Sequence, residues 1–146
     1  MIRNAVIGLV VAVAAAGCSK DTGTSPSSTV NVPFSNTDLR AGTGTEATTG
    51  RSVTVNYSGW LYNAQGVDNK GVLFDSSLAA GRTPLVFTVG ASNIIPGFSQ
   101  GVLGMKVGGL RRTVMPPNVA YGSQGSGNTI PPNATLIFEI ELLAVQ

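Results

Sequence analysis

The sequence predicts an α+β fold, because several segments alternate as strands do and only one has helical spacing. The clearest strand patterns lie at 52–61 and 136–142, where apolar residues recur at every second position. The helical pattern begins at Pro96 and places Phe98 and Val102 on one face. The regular alternation of strands and helices that builds a parallel sheet is missing. We therefore expect a mainly β domain with one short helix.

The composition excludes several kinds of chemistry. The chain of 146 residues has no histidine, one cysteine and a net charge of +2. These counts exclude Ser-His-Asp and Cys-His centres, histidine zinc sites and an internal disulfide. The small charge and the lack of a basic run argue against nucleic acid as a partner. We expect no metal and no cofactor, and an activity that needs neither imidazole nor a pair of thiols.

Residues 1–17 have the form of a signal peptide, because Arg3 precedes an apolar run at 5–16 that is short for a membrane span. The run ends in Ala15-Ala16-Gly17-Cys18, which resembles the lipobox of bacterial lipoproteins. This resemblance implies that Cys18 is lipidated and becomes the first residue of the mature protein. An ordinary secretory signal with an incidental cysteine and a retained transmembrane helix are the alternatives.

The segment 18–31 is predicted to be a lipidated cysteine followed by a flexible tether. It is rich in Ser, Thr and Gly and has too few apolar residues to order itself. Ser19 follows the cysteine where Asp would call for inner-membrane retention, so the resemblance to Gram-negative lipoproteins favours an outer-membrane anchor facing the periplasm. The protein is therefore expected in the bacterial cell envelope, with a folded domain at 32–146.

The first half of this domain contains turns between short strands. Edge strands are predicted at 38–40 and 43–46, and a further strand at 85–89. A long loop is predicted at 62–72, because Asn, Asp and Gly recur there. We expect the loop to separate two strands of one sheet.

The strand at 52–61 has one apolar face, to which Val53, Val55 and Tyr57 contribute. Gly59 within this strand indicates a bulge or a close approach of another group to the backbone. The alternation predicts that this strand covers the core.

The second half contains the helix and two strands. Gly104 is suited to end the helix, and a strand follows at 110–115. We expect Arg111-Arg112 to lie on a solvated face of that strand. In the last strand, Glu139 and Glu141 alternate with apolar residues and are expected to face water.

Several motifs stand in an order that is far more specific than any one of them. Between residues 94 and 122 they are Ile94-Ile95-Pro96-Gly97-Phe98, Gly101-Val102, Met105-Lys106-Val107-Gly108-Gly109, Pro116-Pro117 and Ala120-Tyr121-Gly122. The segments 55–61 and 74–77 upstream and 130–138 downstream complete the set. From about residue 38 to residue 145 the chain resembles the FKBP-type peptidyl-prolyl cis-trans isomerases.

The resemblance implies an antiparallel twisted β-sheet wrapped around a short α-helix. It also implies that the protein isomerises X-Pro bonds and assists the folding of extracytoplasmic proteins. Rotation about such a bond must break amide resonance, which costs about 18–20 kcal/mol. The twisted amide is less polar than the planar one, so an apolar pocket that binds it better accelerates the rotation without a nucleophile.

The resemblance assigns this pocket to ten residues. Phe98 is the floor under the proline ring, open on one side, and the backbone N–H of Ile95 is a donor to the substrate. Asp75 holds a polar network, and the Tyr121 hydroxyl binds a substrate carbonyl. The catalytic residues are then Tyr57, Asp75, Phe98 and Tyr121, and the substrate-binding residues are Phe74, Phe87, Ile94, Ile95, Ile130 and Phe138.

Each assignment has a structural alternative. The aromatic residues Phe87, Phe98 and Phe138 are also suited to a plain hydrophobic core. Asp75 is suited to a helix cap or a turn, and Tyr121 to a turn before Gly122. For the whole protein, the alternative is a non-catalytic module that binds proline peptides or acts as a chaperone.

The partners implied by the resemblance are proline-containing polypeptides and macrolides such as FK506 or rapamycin. The membrane is a partner through the lipid anchor at Cys18, and the domain is expected to be a monomer. Four residues depart from the usual pattern. Phe98 stands where many members have Trp, Leu85 where an aromatic residue is common, Asn93 where an acidic residue is frequent and Ser126 in a loop where some members have histidine. These departures bear on catalytic efficiency and macrolide affinity, and the expected fold does not depend on them.

Overall fold

The computed structural model of the chain describes residues 31–146. The predicted signal peptide, Cys18 and most of the tether lie outside these residues. One helix, α1, spans Pro96–Val102, and two short 3-10 turns lie at Val67–Asn69 and Pro117–Val119. The strands are β1 Ser35–Arg40, β2 Ser52–Tyr62, β3 Lys70–Ser76, β4 Leu85–Thr88, β5 Leu110–Met115 and β6 Leu136–Val145.

The strands form one antiparallel sheet, which confirms the predicted fold class. The order is β1-β5-β6-β2-β3, and β4 pairs with β2 beside β3. The long strands β2 and β6 pair from Val53 with Val145 to Leu61 with Leu136 and form the centre of the sheet. Because β3 pairs with β2 at 58–62 and β4 pairs with it at 52–55, both strands lie along the same edge of β2.

Helix α1 packs against the inner face of the sheet through glycines. A Cβ atom at Gly97 would lie 2.9 Å from the sulfur of Met115, and one at Gly101 would lie 2.8 Å from Oγ1 of Thr113. The two glycines therefore let the helix backbone approach β5 closely. Phe98 on the same helix is buried in the core. The helix ends at Val102, two residues before Gly104, the glycine predicted to end it.

Two predictions about the first half of the domain were wrong. The loop predicted at 62–72 is shorter, because β2 continues to Tyr62 and pairs there with Lys70, the first residue of β3. Asp68 and its neighbour Asn69 adopt left-handed conformations with φ of 55° and 58°, so the chain turns there without glycine. The strand predicted at 43–46 is reduced to an isolated bridge at its last residue.

The pair Arg111-Arg112 is less solvated than predicted, and its two side chains lie on opposite faces of β5, Arg111 on the side of α1. The side chain of Arg111 is only 12% exposed, and its guanidinium donates to Asp38 at 2.6 Å and to the carbonyl groups of Gly101 and Leu103 at 3.1 and 3.0 Å. These two carbonyls belong to the end of α1, where backbone acceptors have no helical partner. The prediction of a solvated arginine pair was wrong because the pattern did not show these acceptors.

A second ionic group covers the middle of the outer face. Glu139 accepts from Lys70 at 2.6 Å and from Arg112 at 3.0 Å, and Arg112 also reaches Asp68 at 3.0 Å. The Lys70 ammonium lies 4.3 Å from the centre of the Trp60 ring. Glu139 is thus a paired, half-buried carboxylate rather than a free one. The four side chains Lys70, Asp68, Arg112 and Glu139 are called the outer ionic cluster below.

Candidate functional site

Five aromatic rings meet on the inner face of the sheet around Phe98. The centroid of the Phe98 ring lies 5.7 Å from that of Tyr57, 5.4 Å from that of Phe87 and 5.2 Å from that of Phe138. Phe74 joins through Phe138 at 5.5 Å. The pairs with Phe98 are edge-to-face, the arrangement that aromatic quadrupoles favour. We call these five residues the aromatic cluster.

The cluster is assembled by five different elements. Tyr57 lies on the inner face of β2, Phe74 on β3 and Phe138 on β6, while Phe87 lies on β4 and Phe98 in the first turn of α1. Position 59 of β2 requires a glycine, because a Cβ at Gly59 would lie 2.7 Å from both the Phe74 and Phe138 rings. This confirms the close approach predicted for Gly59 from its place in the strand.

The cluster has a closed floor and an open rim. Phe98 is 3% exposed, and Phe87, Ile130 and Phe138 are also buried. The rim consists of Tyr57, Phe74, Ile94 and Ile95, which are half-buried, and of Tyr121, which is exposed. The structure thus brings the predicted apolar residues together, but the ring predicted as an open floor is nearly covered by its neighbours.

A polar triad borders the rim on the side of β3. The Tyr57 hydroxyl donates to Oδ2 of Asp75 at 2.6 Å, and Arg82 donates to Oδ1 of the same carboxylate at 2.9 Å. Arg82 also reaches the Tyr57 oxygen at 3.5 Å, and the backbone N–H of Ser76 donates to Oδ1 at 2.9 Å. Asp75 thereby holds both Tyr57 and Arg82 in place.

Arg82 was not among the predicted site residues. It lies in the turn between β3 and β4, and the sequence of this turn does not show which of its residues faces Asp75. A cation seven positions after a carboxylate is a weak signal in a loop. Only the fold shows that this turn brings the guanidinium back to the carboxylate.

The two tyrosine hydroxyls of the site keep their protons. Burial, together with the hydrogen bond to Asp75, raises the pKa of Tyr57 above its usual value of 10.0. Burial and the nearby charge of Asp75 also raise the pKa of Tyr121. Both groups are therefore neutral hydrogen-bond donors at physiological pH.

Among the donors at the rim that have no acceptor within residues 31–146 are the backbone N–H of Ile95 and the hydroxyl of Tyr121. Ile95 precedes the helix, and its carbonyl accepts the N–H of Phe98 at 3.0 Å. Its own N–H therefore lies outside the helical ladder, beside the aromatic cluster. An apolar surface with two free donors is suited to hold an uncharged peptide through its carbonyl groups.

Within residues 31–146, no group of three or more acidic, cysteine or histidine side chains is placed to hold a metal ion. No helix in the same residues is long and apolar enough to cross a membrane.

The chain is similar to known proteins over the segment that carries the candidate site. The family model for the FKBP-type peptidyl-prolyl cis-trans isomerase matches residues 43–143, which contain the whole aromatic cluster and the polar triad. An FK506-binding protein of Neisseria meningitidis serogroup A is 48% identical over 108 residues, which are 74% of this chain and 92% of that protein. FK506-binding protein 2 of Yarrowia lipolytica is 44% identical over 100 residues, 68% of this chain and 64% of that protein.

Solved structures agree with the sequence comparison. FkpA from Escherichia coli matches with a TM-score of 0.64 and 38% identity over 77% of this chain and 48% of that chain, so this chain spans about half of it. A peptidyl-prolyl cis-trans isomerase from Pseudomonas syringae pv. tomato matches with a TM-score of 0.63 and 34% identity over 77% of this chain and 75% of that chain.

Proposed function

Because the chain belongs to the FKBP-type peptidyl-prolyl cis-trans isomerase family, we propose that it isomerises X-Pro bonds of extracytoplasmic polypeptides at the aromatic cluster. The family model and the relatives establish the enzyme class. The client proteins, the compartment and the roles of single residues are the proposed part. The observation that carries the assignment of the site is the meeting of Tyr57, Phe87 and Phe138 around Phe98.

The apolar cluster supplies the differential binding that catalysis needs. Twisting the amide removes its conjugation and reduces its polarity, so a surface of aromatic rings favours the twisted form over the planar one. No bond is broken, and no side chain has to take up a proton. The substrate proline ring lies on the rim above Phe98. The Phe98 ring supports the surrounding aromatic side chains from below.

The polar groups orient the peptide. The free N–H of Ile95 and the hydroxyl of Tyr121 hold substrate carbonyl oxygens on either side of the proline. Asp75 and Arg82 fix the Tyr57 ring, so that the wall does not have to reorganise during rotation. Preorganised donors of this kind fix the part of the peptide that must stay still while the amide turns.

The compartment follows from the sequence before the described residues. The signal-like segment and the lipobox-like Ala15-Ala16-Gly17-Cys18 support an anchor in the cell envelope. Two or more acyl chains on one cysteine hold durably, since each buried methylene contributes about 0.8 kcal/mol. The domain would then act on proline-containing polypeptides beside the membrane, as a monomer, on the outer membrane facing the periplasm.

The test of the site is a proline-peptide isomerisation assay on the full chain in lipid nanodiscs, with and without FK506. We expect acceleration that FK506 suppresses. Binding of the peptide without acceleration would instead support the non-catalytic module. Mass spectrometry of the mature N-terminus tests the anchor: we expect an acylated Cys18 and no acylation after Cys18→Ser. An unmodified cysteine in the wild-type protein would contradict the anchor.

A further inference from the structure

A second cavity lies at the far end of β2, away from the aromatic cluster. Its volume is about 790 Å³, within the range of ligand pockets. No side chain that lines it is charged at neutral pH. The apolar part of its wall comes from Val32, Leu61, Ala64, Pro117, Pro131 and Ala134.

The polar part of the wall consists mainly of amides. Asn63, Gln65 and Asn133 each contribute a side chain that both donates and accepts hydrogen bonds. Within residues 31–146, the side-chain amides of Gln65 and Asn133 bond to no other group. A wall of apolar groups and free amides matches an uncharged peptide segment, because the peptide backbone presents the same donors and acceptors.

The cavity and the aromatic cluster border on the same two segments of the chain. Ile130 is buried in the core beside the cluster, and the next residue, Pro131, lines the cavity. The segment that carries Tyr121 leads back to Pro117 in the cavity wall through the hydrogen bond from Gly122 to the Pro117 carbonyl at 2.9 Å. The two sites thus share the same pair of segments as their dividing wall.

The strand β2 sets the distance between the two sites. Tyr57 at the cluster and Leu61 at the cavity lie on the same face of β2, four residues apart, which is about 13 Å along a strand. An extended polypeptide covers that distance with about four residues. Between the two positions, the Phe74 and Phe138 rings close over Gly59, and because Phe138 is buried, a peptide that reaches both sites passes over the half-buried Phe74 ring.

We propose that this cavity is a second subsite for the polypeptide substrate and binds an apolar side chain about four residues from the isomerised proline. The inference rests on the proposed function, because it names a feature of the substrate for that same site. A client with this spacing contacts both sites at once, so the apolar residue tethers the segment while the X-Pro bond turns.

Matched peptides test the proposal on the full chain in lipid nanodiscs. One peptide has Leu four residues before its proline and a second has Gln there, and a further pair has the substitution four residues after the proline. We expect kcat/KM to be about tenfold higher for the Leu peptide of one pair, the factor that burying a leucine side chain provides at its lower limit. The Gln peptide reports the proline site alone.

Two tryptophan variants locate the effect. Ala64 is exposed in the turn that lines the cavity, so Ala64→Trp places an indole ring in the cavity and should bring the Leu-to-Gln ratio of kcat/KM well below that of the wild type, toward one. Ala41 is also exposed and follows β1, at the other end of the strand order. Ala41→Trp should keep the tenfold ratio. Melting temperatures of both variants report whether each remains folded.

The outcomes separate this inference from the proposed function. If no peptide is isomerised faster than in water, the proposed function fails. If all peptides are isomerised and the wild-type protein shows equal rates within both pairs, the second subsite is wrong. Equal rates are the result expected if the cavity holds residues that precede Asn31, or a second copy of the chain. A leucine preference that survives Ala64→Trp also overturns the proposal.

Discussion

The two faces of the central strands are built from different interactions. On the inner face, Tyr57 and Phe138 contribute rings to the aromatic cluster, with one polar triad at its rim. On the outer face of the same strands, Glu139 belongs to the outer ionic cluster and Trp60 lies beside it. The inner contacts stabilise the fold and form the candidate site at once, whereas the outer contacts join β3, β5 and β6 and hold Asp68 of the preceding turn against the sheet. Substitutions on the two faces should therefore differ in whether stability and activity change together.

The largest expected effect is that of Phe98→Ala. The ring is 3% exposed, so its removal leaves a nearly closed cavity and costs about 3–5 kcal/mol in the free energy of unfolding. The sequence had suggested a smaller cost, since an open pocket floor was expected. We expect kcat/KM to fall at least a hundredfold, because the walls lose the ring that supports them. Denaturant unfolding and the proline-peptide assay measure both quantities.

Phe98→Trp is the control for this change. Tryptophan keeps an aromatic ring in the floor and is the residue that many relatives have, so activity and FK506 binding should be retained, with higher FK506 affinity. Because Phe98 is tightly packed, the larger ring should lower the free energy of unfolding by at most about 1–3 kcal/mol through overpacking. If Ala at this position unfolds the domain and Trp leaves ligand binding unchanged, Phe98 belongs to the core alone.

The second effect concerns the polar triad. Asp75→Leu removes the charged carboxylate that accepts hydrogen bonds from the Tyr57 hydroxyl and the Arg82 guanidinium. The carboxylate is 38% exposed, so the loss of stability should stay near 1 kcal/mol, whereas kcat/KM should fall about tenfold as the Tyr57 ring loses its fixed position. Full activity in a folded Asp75→Leu protein would show that Asp75 is not a site residue.

Much of this contrast was predictable from the sequence, because periodicity reports which face a residue shares. The alternation at 52–61 placed Val53, Val55 and Tyr57 together, and the motif around Phe98 indicated the helix. The partners of Arg111 and Arg112 were not predictable, since they are acceptors more than 20 residues away or the carbonyls of a helix end. Arg82 was missed for the same reason, because a loop has no period that relates its residues to a strand.

The third prediction tests the outer face alone. Glu139→Gln leaves Lys70 and Arg112 without their shared carboxylate while each is 21% exposed. We expect the free energy of unfolding to fall by about 1–3 kcal/mol, because two half-buried cations then face each other with less compensation. Activity per folded molecule should not change, since Glu139 points away from the aromatic cluster. A parallel loss of kcat/KM would show that the two faces are coupled.

The smallest expected effects are those of pH, and the tyrosines of the candidate site and the Asp38–Arg111 pair should respond at opposite ends of the scale. The raised pKa of Tyr57 and Tyr121 means that their contribution to stability is present below about pH 10 and is lost as the pH rises through their folded values. Beside the end of α1, the hydrogen bond from Arg111 lowers the pKa of Asp38 below 3.8, so its contribution to stability is present above about pH 4 and is lost as the pH falls further.

Unfolding curves of three proteins between pH 3 and pH 11 separate these contributions. The double variant Tyr57→Phe/Tyr121→Phe should be less stable at pH 7 but should lose less stability than wild type above pH 10. Asp38→Asn should flatten the acid limb only, and by a small amount, because the Asp38 side chain is 56% exposed. Between pH 7 and pH 9 both tyrosines keep their protons and the domain has no histidine, so kcat/KM should stay level. A fall in kcat/KM within that range would mean that a tyrosine of the site ionises there, and the burial of the inner face would then be weaker than the structure indicates.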